Sequence, residues 1–302
     1  MVTKAKISTN PLASSAMLVC LQIHQWGYRR LDPGVSNKAA AELGAGQEML
    51  RTWKRLLGRD STKIVSVAFS RYKSHHYENT VPWLDNGYRM LPSANYLPYV
   101  EKERELRADC DRAVEDFLKF YPKHREAAQA RLGRAFNEND YPTAQAVRRK
   151  FSIDLHFMPI PDKADFRVDV PAKELTRINA DIDGQVKLAL ENATRDLFER
   201  LYEVVISLRD RLKAHKTPSV GKDAKRQRSF RDSAVSNVVD ICKLLPRLNI
   251  NGNPELKKLT DDVMKSLGKA DPEALRENDD LRATAIKKAD DILARMADYV
   301  TG

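Results

Sequence analysis

The sequence contains few of the residues that identify metal-binding or disulfide-linked proteins. Its 302 residues include three cysteines, Cys20, Cys110 and Cys242, which are far apart along the chain. There is no Cys-x-x-Cys pair and no Cys/His cluster, so the sequence offers neither a disulfide framework nor a zinc site of the usual spacing. We expect three reduced thiols, buried as small apolar side chains, and no metal.

Long apolar runs are also missing. No stretch approaches the roughly 18 consecutive apolar residues that a membrane-spanning helix needs. The longest apolar run near the N-terminus, Ala16 to Leu21, is too short for the core of a signal peptide. These absences predict a cytoplasmic protein that does not use a membrane.

The sequence has none of the short motifs that mark common active sites. His-Glu-x-x-His and Gly-x-Ser-x-Gly are absent, and the glycines at 44, 46 and 58 lack the lysine and the spacing of a phosphate-binding loop. Paired aspartates at 261–262, 279–280 and 290–291 are expected on solvated helix faces. We therefore predict a non-enzymatic protein without a cofactor, although dispersed catalytic residues would leave no motif.

Positive charge is abundant and concentrated in two windows. The chain has 52 Lys and Arg against 42 Asp and Glu, a net charge of +10. Residues 51–100 hold eight basic and three acidic residues, and residues 209–231 hold nine and two, so the windows contribute +5 and +7. Localised positive charge attracts phosphate backbones, acidic protein surfaces or anionic lipid.

The more basic window includes a polar segment with Pro218 and Gly221 and no large apolar side chain between Leu212 and Phe230. A flexible basic segment of this kind can follow a phosphate backbone, whereas the simpler interpretation is a solvated linker between helices. Its candidate nucleic-acid-binding residues are Lys213, Lys216, Lys222, Lys225, Arg226, Arg228 and Arg231.

A second candidate patch combines basic and aromatic residues. Arg71, Lys73 and Arg89 supply positive charge, and Trp83 is an aromatic side chain on which an unpaired base can stack. The alternative is a packed connector, because Trp and Tyr usually bury their rings.

Hydrophobic periodicity predicts a mainly α protein with small β elements in the N-terminal half. Residues 18–26 alternate like a half-buried strand, and 154–170 reads as a small hairpin. A loop-rich connector with a short strand at 88–91 is expected between 75 and 98. A helix is expected at 36–59, with an interruption at Gly44 and Gly46. A second helix should begin at Asp60 and carry Ile64, Val67, Ala68 and Tyr72 on one face. Further helices are expected at 99–120, 123–133 and 142–151.

The clearest single element is a helix from Ala172 to Ala214. Its apolar residues from Leu175 to Leu212 take ten steps over 37 residues, a mean spacing of 3.7. This spacing is closer to an eleven-residue repeat than to a heptad. We expect a long-helix bundle with later helices at 230–245, 255–267 and 272–299, although the spacing also suits packing against another copy.

The block from Thr80 to Pro92, TVPWLDNGYRMLP, occurs together with Tyr121-Pro122, Asp140-Tyr141-Pro142 and Phe157-Met-Pro-Ile-Pro161. In these features the chain, over residues 17–170, resembles a family of phage- and prophage-encoded proteins. The resemblance implies the host-cell cytoplasm as the location. It also implies genes near those of MoxR-like AAA+ ATPases and von Willebrand A-type proteins, and hence work in a multiprotein assembly. It implies no catalytic residues.

The sequence predicts three segments of the chain and one leading function. We predict a leader at 1–16, an α+β domain at 17–170, and a helical bundle at 171–302 with a basic loop at 213–231. The leading hypothesis is a phage-type, non-enzymatic, oligomeric protein that binds nucleic acid, with DNA expected, through backbone contacts by basic loops. The alternatives are an adaptor or partner of a MoxR-like AAA+ ATPase, and a virion or scaffold component.

Overall fold

The computed structural model describes residues 11–84, 87–162, 170–215 and 231–300, and it is mainly α-helical, as predicted. The α-helices are α1 (Pro11–Ser15), α2 (Pro33–Glu42), α3 (Arg59–Glu78), α4 (Tyr96–Lys119), α5 (Tyr121–Leu132), α6 (Ala144–Arg148), α7 (Ala172–Ala214), α8 (Ser233–Leu248), α9 (Pro254–Val263), α10 (Pro272–Glu277) and α11 (Asp279–Val300).

The strands of the described residues lie in the N-terminal half and form two small sheets. They are β1 (Ala16–His24), β2 (Arg29–Leu31), β3 (Trp53–Arg55), β4 (Val81–Pro82), β5 (Tyr88–Pro92) and β6 (Ser152–Met158). One sheet has the order β4-β5-β1-β6, and the other is the antiparallel pair β2-β3. The predicted strands at 18–26 and 88–91 are therefore confirmed as β1 and β5.

The chain divides into two compact units, each with its own core. Unit 1 comprises Met1–Cys20, Glu78–Leu97 and Phe157–Gly302, and unit 2 comprises Leu21–Tyr77 and Pro98–His156. Neither unit ends at residue 170, where the sequence analysis divides the chain; that division stays a prediction. Within the predicted leader, residues 11–15 form α1, and Leu12 is buried in the core of unit 1.

Helix α7 is the main element of unit 1, and its predicted bounds of Ala172 and Ala214 are confirmed. From Ala189 to Leu212 it buries apolar side chains at helical spacing and packs against α8 and α11. This part of the helix therefore packs within its own chain. The four predicted stripe positions nearer its N-terminus, Leu175, Ile178, Ile182 and Val186, are only half-buried.

Unit 2 has a core rich in aromatic side chains. Helices α3 and α4 contribute Phe69, Tyr72 and Phe117, and Trp26 and Tyr28, from the connection between β1 and β2, pack with them. The rings of Trp26 and Tyr28 have centroids 4.9 Å apart, and the Tyr28 ring meets that of Phe117 at 5.9 Å. Edge and tilted contacts of this kind stabilise a core beyond the area that they bury.

The predicted helix over 36–59 is wrong in its second half. Helix α2 ends at Glu42, and Trp53–Arg55 is the strand β3. The amide of Asp32 donates to the carbonyl of Thr52 at 2.9 Å, and the amide of Leu56 donates to the carbonyl of Tyr28 at 2.8 Å. Pairing between distant backbone groups has overridden the local helix propensity of this segment.

The buried face of α3 also differs from the prediction. The helix buries Thr62, Val65, Phe69, Tyr72 and His76, whereas Ile64 and Val67 are 47% and 40% exposed. The two candidate faces have the same spacing, and the structure buries the one with the larger aromatic rings. The helix continues to Glu78, so the predicted connector starts after this residue and not at His75.

The remaining C-terminal helices agree with the prediction except for one break. The segment predicted as one helix at 272–299 forms α10 and α11, separated at Asn278. The Asn278 side chain accepts from the amides of Asp280 and Leu281, both at 3.0 Å, which caps the start of α11. The second half of the predicted hairpin at 154–170 lies largely outside the described residues.

Two of the three cysteines are buried, as expected. Cys110 and Cys242 are buried and Cys20 is half-buried, and all three are free thiols. Burial raises the pKa of both Cys110 and Cys242 to about 12, so these two thiols stay protonated at neutral pH. None of the helices in the described part of the chain has the length and hydropathy needed to cross a lipid bilayer.

The packing of α7 predicts a strong contrast between two leucines of the same helix. Leu201 is fully buried, whereas Leu188 is 49% exposed. Leu201→Ala should lower the free energy of unfolding by about 2–5 kcal/mol, because it removes buried surface and leaves a cavity. Leu188→Ala is the matched control, with an expected change within about 0.5 kcal/mol. Urea denaturation measures both, and equal effects would contradict this packing.

Candidate functional site

The structure describes six of the eleven sequence-predicted binding residues. Those in the interior of the basic segment lie outside the described residues, and they are Lys216, Lys222, Lys225, Arg226 and Arg228. The two ends of the segment, Lys213 and Arg231, belong to unit 1.

Lys213 takes part in an ion pair between two helices. Its ammonium group, on α7, lies 3.0 Å from Oδ2 of Asp290 on α11, and Nη1 of Arg209 lies 3.3 Å from Oδ1 of the same carboxylate. The hydrogen bond from Lys213 is the main reason why the pKa of Asp290 is lowered. Part of the positive charge of Lys213 is thus compensated within the fold. Arg231 is exposed immediately before α8.

This ion pair predicts a pH-dependent effect of Asp290→Asn. Because the folded-state pKa of Asp290 lies below its ordinary value of 3.8, its stabilising contribution is present above that value and disappears as the pH falls through the folded-state pKa. The variant should therefore be less stable than the wild type at about pH 7, and the difference should shrink in acid. Urea denaturation across this range measures it. In a Lys213→Gln background the effect should be smaller; a difference independent of pH would contradict the assignment.

Arg71 and Lys73 lie on the exposed side of α3 in unit 2. The ammonium group of Lys73 lies 5.7 Å from the centroid of the Tyr77 ring, and Tyr77 is 47% exposed. These side chains are available to solvent, as a binding role requires.

Trp83 and Arg89 belong to unit 1, and the structure gives both of them packed surroundings. Trp83 is 3% exposed in the hydrophobic core, so its ring offers no face to a base in this structure. Arg89, on β5, donates from Nε to Oγ1 of Thr80 at 2.7 Å and from Nη2 to the carbonyl of Thr80 at 2.9 Å. Both observations agree with the alternative interpretation of this block as a packed connector.

The same Thr80 carbonyl is also bound by a residue of α7. Arg200 donates from Nη2 to Thr80 O at 2.8 Å and from Nη1 to Glu78 O at 2.7 Å, and it pairs with Asp196 at 2.8 Å. Burial raises the pKa of Asp196, and the nearby charges of Arg200 and Arg89 offset part of this effect. Arg200 therefore fastens the fully buried Thr80 to α7, and Arg89 fastens it to β5.

These contacts predict that Arg89 contributes mainly to stability. Arg89→Gln removes two donors to Thr80, and we expect the free energy of unfolding to fall by about 1–3 kcal/mol. Arg71→Gln, at an exposed position, is the control and should change it by less than about 0.5 kcal/mol. Urea denaturation of both variants is the measurement. A larger decrease in the Arg71 variant would contradict the anchoring role.

The β2-β3 pair, called the ribbon below, collects basic residues that the sequence analysis did not single out. Arg29 lies opposite Arg55, Arg30 opposite Lys54, and Leu31 opposite Trp53. Side chains alternate along a strand, so Arg29, Leu31, Trp53 and Arg55 share one face of the ribbon.

The other face of the ribbon has its charges neutralised. Lys54 lies 2.6 Å from Oδ2 of Asp140, and Nε of Arg30 lies 3.5 Å from Oδ1 of the same carboxylate. Lys54 also donates to the carbonyl of Ala135 at 3.0 Å and is largely buried. This face therefore holds the ribbon on the rest of unit 2.

The face that carries Trp53 presents charge without a carboxylate partner. Arg29 and Arg55 are exposed, and neither forms an ion pair with any described residue. Arg55 donates from Nε to the carbonyl of Leu57 at 2.9 Å, which directs its guanidinium while leaving its charge uncompensated. Arg51 and Arg59, exposed on either side of β3, likewise have no acidic partner in the described part of the chain.

Trp53 itself is 58% exposed, whereas Trp26 and Trp83 are 8% and 3% exposed. Sequence reasoning missed it because residues 47–59 were assigned to a helix, whereas the structure places Trp53 on a strand. The signal available beforehand was the charge of the window at 51–100, half of whose basic residues lie between 51 and 59.

The comparisons with known proteins give no relative. No family model, no curated protein and no solved structure matches this chain. The chemistry of the site has to be inferred from its own residues.

Unit 2 also contains a buried polar network, and its geometry is that of a structural element. Tyr72 donates its hydroxyl to Glu103 at 2.5 Å, and Arg107 donates to the same carboxylate at 2.7 Å and to the carbonyl of Ile153 at 2.7 Å. Burial is the main reason why the pKa of Tyr72 is raised, so the phenol remains a donor at neutral pH. The network joins α3 to α4 and β6.

A shallow groove of about 480 Å³ in unit 1 is lined by both basic and acidic side chains. It lies beside α7 and α11, and its walls include Lys187 and Arg195 as well as Glu191 and Asp298. No group of three or more potential metal ligands occurs among the described residues. The ribbon face with Arg29, Trp53 and Arg55 is therefore the best candidate site.

Proposed function

We propose that this protein is a phage-type, non-enzymatic nucleic-acid-binding protein, with DNA as the expected ligand. The observation that carries the proposal is the ribbon face, on which Arg29 and Arg55 lie beside an exposed Trp53 without a carboxylate to neutralise them. The phage assignment rests on the resemblance of the block from Thr80 to Pro92.

Electrostatics favours a polyanion as the ligand of this face. A guanidinium that is paired with a carboxylate must give up that partner before it binds a phosphate, and Arg29 and Arg55 have no such partner among the described residues. Arginine donates in a planar fork that matches phosphate oxygens. Each phosphate that is neutralised releases counterions, which gives affinity without sequence specificity.

Other cations can extend the binding surface. Arg71 and Lys73 are exposed in the same unit as the ribbon. The basic segment from Lys213 to Arg231 stays a predicted backbone-binding loop, and its role is separable from that of the ribbon by mutation.

The test is fluorescence anisotropy of labelled single-stranded and duplex DNA at salt concentrations between about 50 and 200 mM. Wild type should bind with an affinity that falls as salt rises. The double variant Arg29→Gln, Arg55→Gln should bind more weakly, and its slope against log salt on a single strand should be smaller by about 0.7 for each phosphate that is no longer neutralised. A Lys222→Gln, Lys225→Gln, Arg226→Gln, Arg228→Gln variant tests the segment separately.

The matched control removes the same amount of charge elsewhere in unit 2. Lys102 and Arg112 on α4 are exposed and paired with Glu105 and Asp109. The Lys102→Gln, Arg112→Gln variant should therefore retain the salt slope of the wild type. Absence of binding by the wild type at low salt would reject the proposal and direct the search to a protein partner.

A further inference from the structure

Trp53 differs from the other exposed aromatic residues of the described chain in having an uncovered ring. The ring of Tyr299 stacks on Phe198 at 4.2 Å, Phe157 meets Tyr96 at 6.1 Å, and cations lie near the rings of Tyr77 and Phe120 at 5.7–5.9 Å. No described ring or cation lies against Trp53. With 58% of its surface exposed, the indole is accessible to a ligand.

The ribbon fixes the position of this ring relative to the two guanidinium groups whose charge has no carboxylate partner among the described residues. Arg55 follows Trp53 by two residues on the same strand, about 7 Å along it. Arg29 is the diagonal neighbour of Trp53 on the partner strand, at about 7–8 Å between Cα atoms. Arg29 and Arg55 face each other, so both side chains lie toward the same end of the ribbon and reach an anionic group beside whatever covers the indole.

We propose that Trp53 stacks on an unpaired base while Arg29 and Arg55 bind the adjoining phosphates, so that the ligand class is single-stranded nucleic acid. The inference rests on the proposed function and deepens it. An indole ring needs an open base face, and in a duplex both faces of each interior base are already stacked. Two cations that face each other beside the ring favour a ligand that carries an anionic group next to an aromatic one, which a nucleotide does.

The positive charge of the ribbon face favours a nucleic acid over an apolar protein partner. Met49 and Leu43 are 76% and 74% exposed in the same unit, so exposed apolar surface is not restricted to Trp53. At Trp53, however, the nearest neighbours on the same face are Arg29 and Arg55 and the half-buried Leu31. Desolvating two uncompensated guanidinium groups against an apolar partner is unfavourable, whereas phosphates pair with them.

The experiment measures binding of oligo(dT) of about 12 nucleotides, whose bases are largely unstacked, against a duplex of equal length at constant salt. Oligo(dT) should bind wild type more tightly than the duplex does. Trp53→Leu should weaken oligo(dT) binding by about 5- to 150-fold, the decrease expected for one stacked base. Trp53→Phe should retain part of the affinity, because a phenyl ring still stacks. Met49→Ala is the control and should bind like wild type.

Intrinsic fluorescence provides a second readout, because Trp53 is the single tryptophan with an exposed ring and all three tryptophans are described. Saturating oligo(dT) should quench the emission of wild type and leave that of Trp53→Phe almost unchanged. The urea midpoints of the Trp53 variants should match that of wild type, since the side chain is exposed.

The possible failures are distinguishable. If no nucleic acid binds wild type, the proposed function itself fails. DNA binding with the expected salt dependence would support backbone binding. Stacking on Trp53 is nevertheless rejected by any one of three results: Trp53→Leu binds like Met49→Ala, the duplex binds as tightly as oligo(dT), or no quenching accompanies binding.

Discussion

Between Ala189 and Leu212, α7 buries an apolar side chain at almost every third or fourth position, and unit 1 is arranged around this face. Helices α8 and α11 pack on it, and the short strand β4 contacts it as well. The same helix carries Arg200 and Asp196, which pair with each other, and Arg200 binds the backbone at Glu78 and Thr80. The buried face of α7 and its Arg200 thus hold the start of the block from Thr80 to Pro92 in place.

That block reads in sequence as a basic and aromatic patch, yet Trp83 and Arg89 both make contacts within the fold. Trp83 fills the core, and Arg89 donates two hydrogen bonds to Thr80. A buried carbonyl without a hydrogen-bond donor costs free energy, so the hydrogen bonds from Arg89 and Arg200 to the Thr80 carbonyl stabilise the fold. A cation held in this way is a poor candidate for phosphate binding, whatever its position in the sequence.

In the ribbon of unit 2, strand alternation places the neutralised basic side chains on one face and the uncompensated ones on the other. Four basic residues lie in two paired tripeptides, and the two that face Asp140 are neutralised. The other two share a face with an exposed Trp53 and have no acidic partner among the described residues. A one-residue shift in register would turn the side chains of one strand to the opposite face, so the antiparallel pairing of six residues decides where uncompensated charge reaches solvent.

By itself the sequence determined the helical class, the extent of α7 and the existence of β1 and α4, because each of these elements has a local period that one buried face must satisfy. The strand β5 was indicated by its place in the loop-rich connector and not by a period of its own. It also indicated two basic windows. It did not determine which of two equivalent faces α3 buries, nor that residues 53–55 form a strand, because both depend on partners distant in sequence. Only the tertiary structure decided that Trp83 is buried while Trp53 is exposed, since the exposure of a ring is fixed by the long-range backbone pairs and core contacts around it.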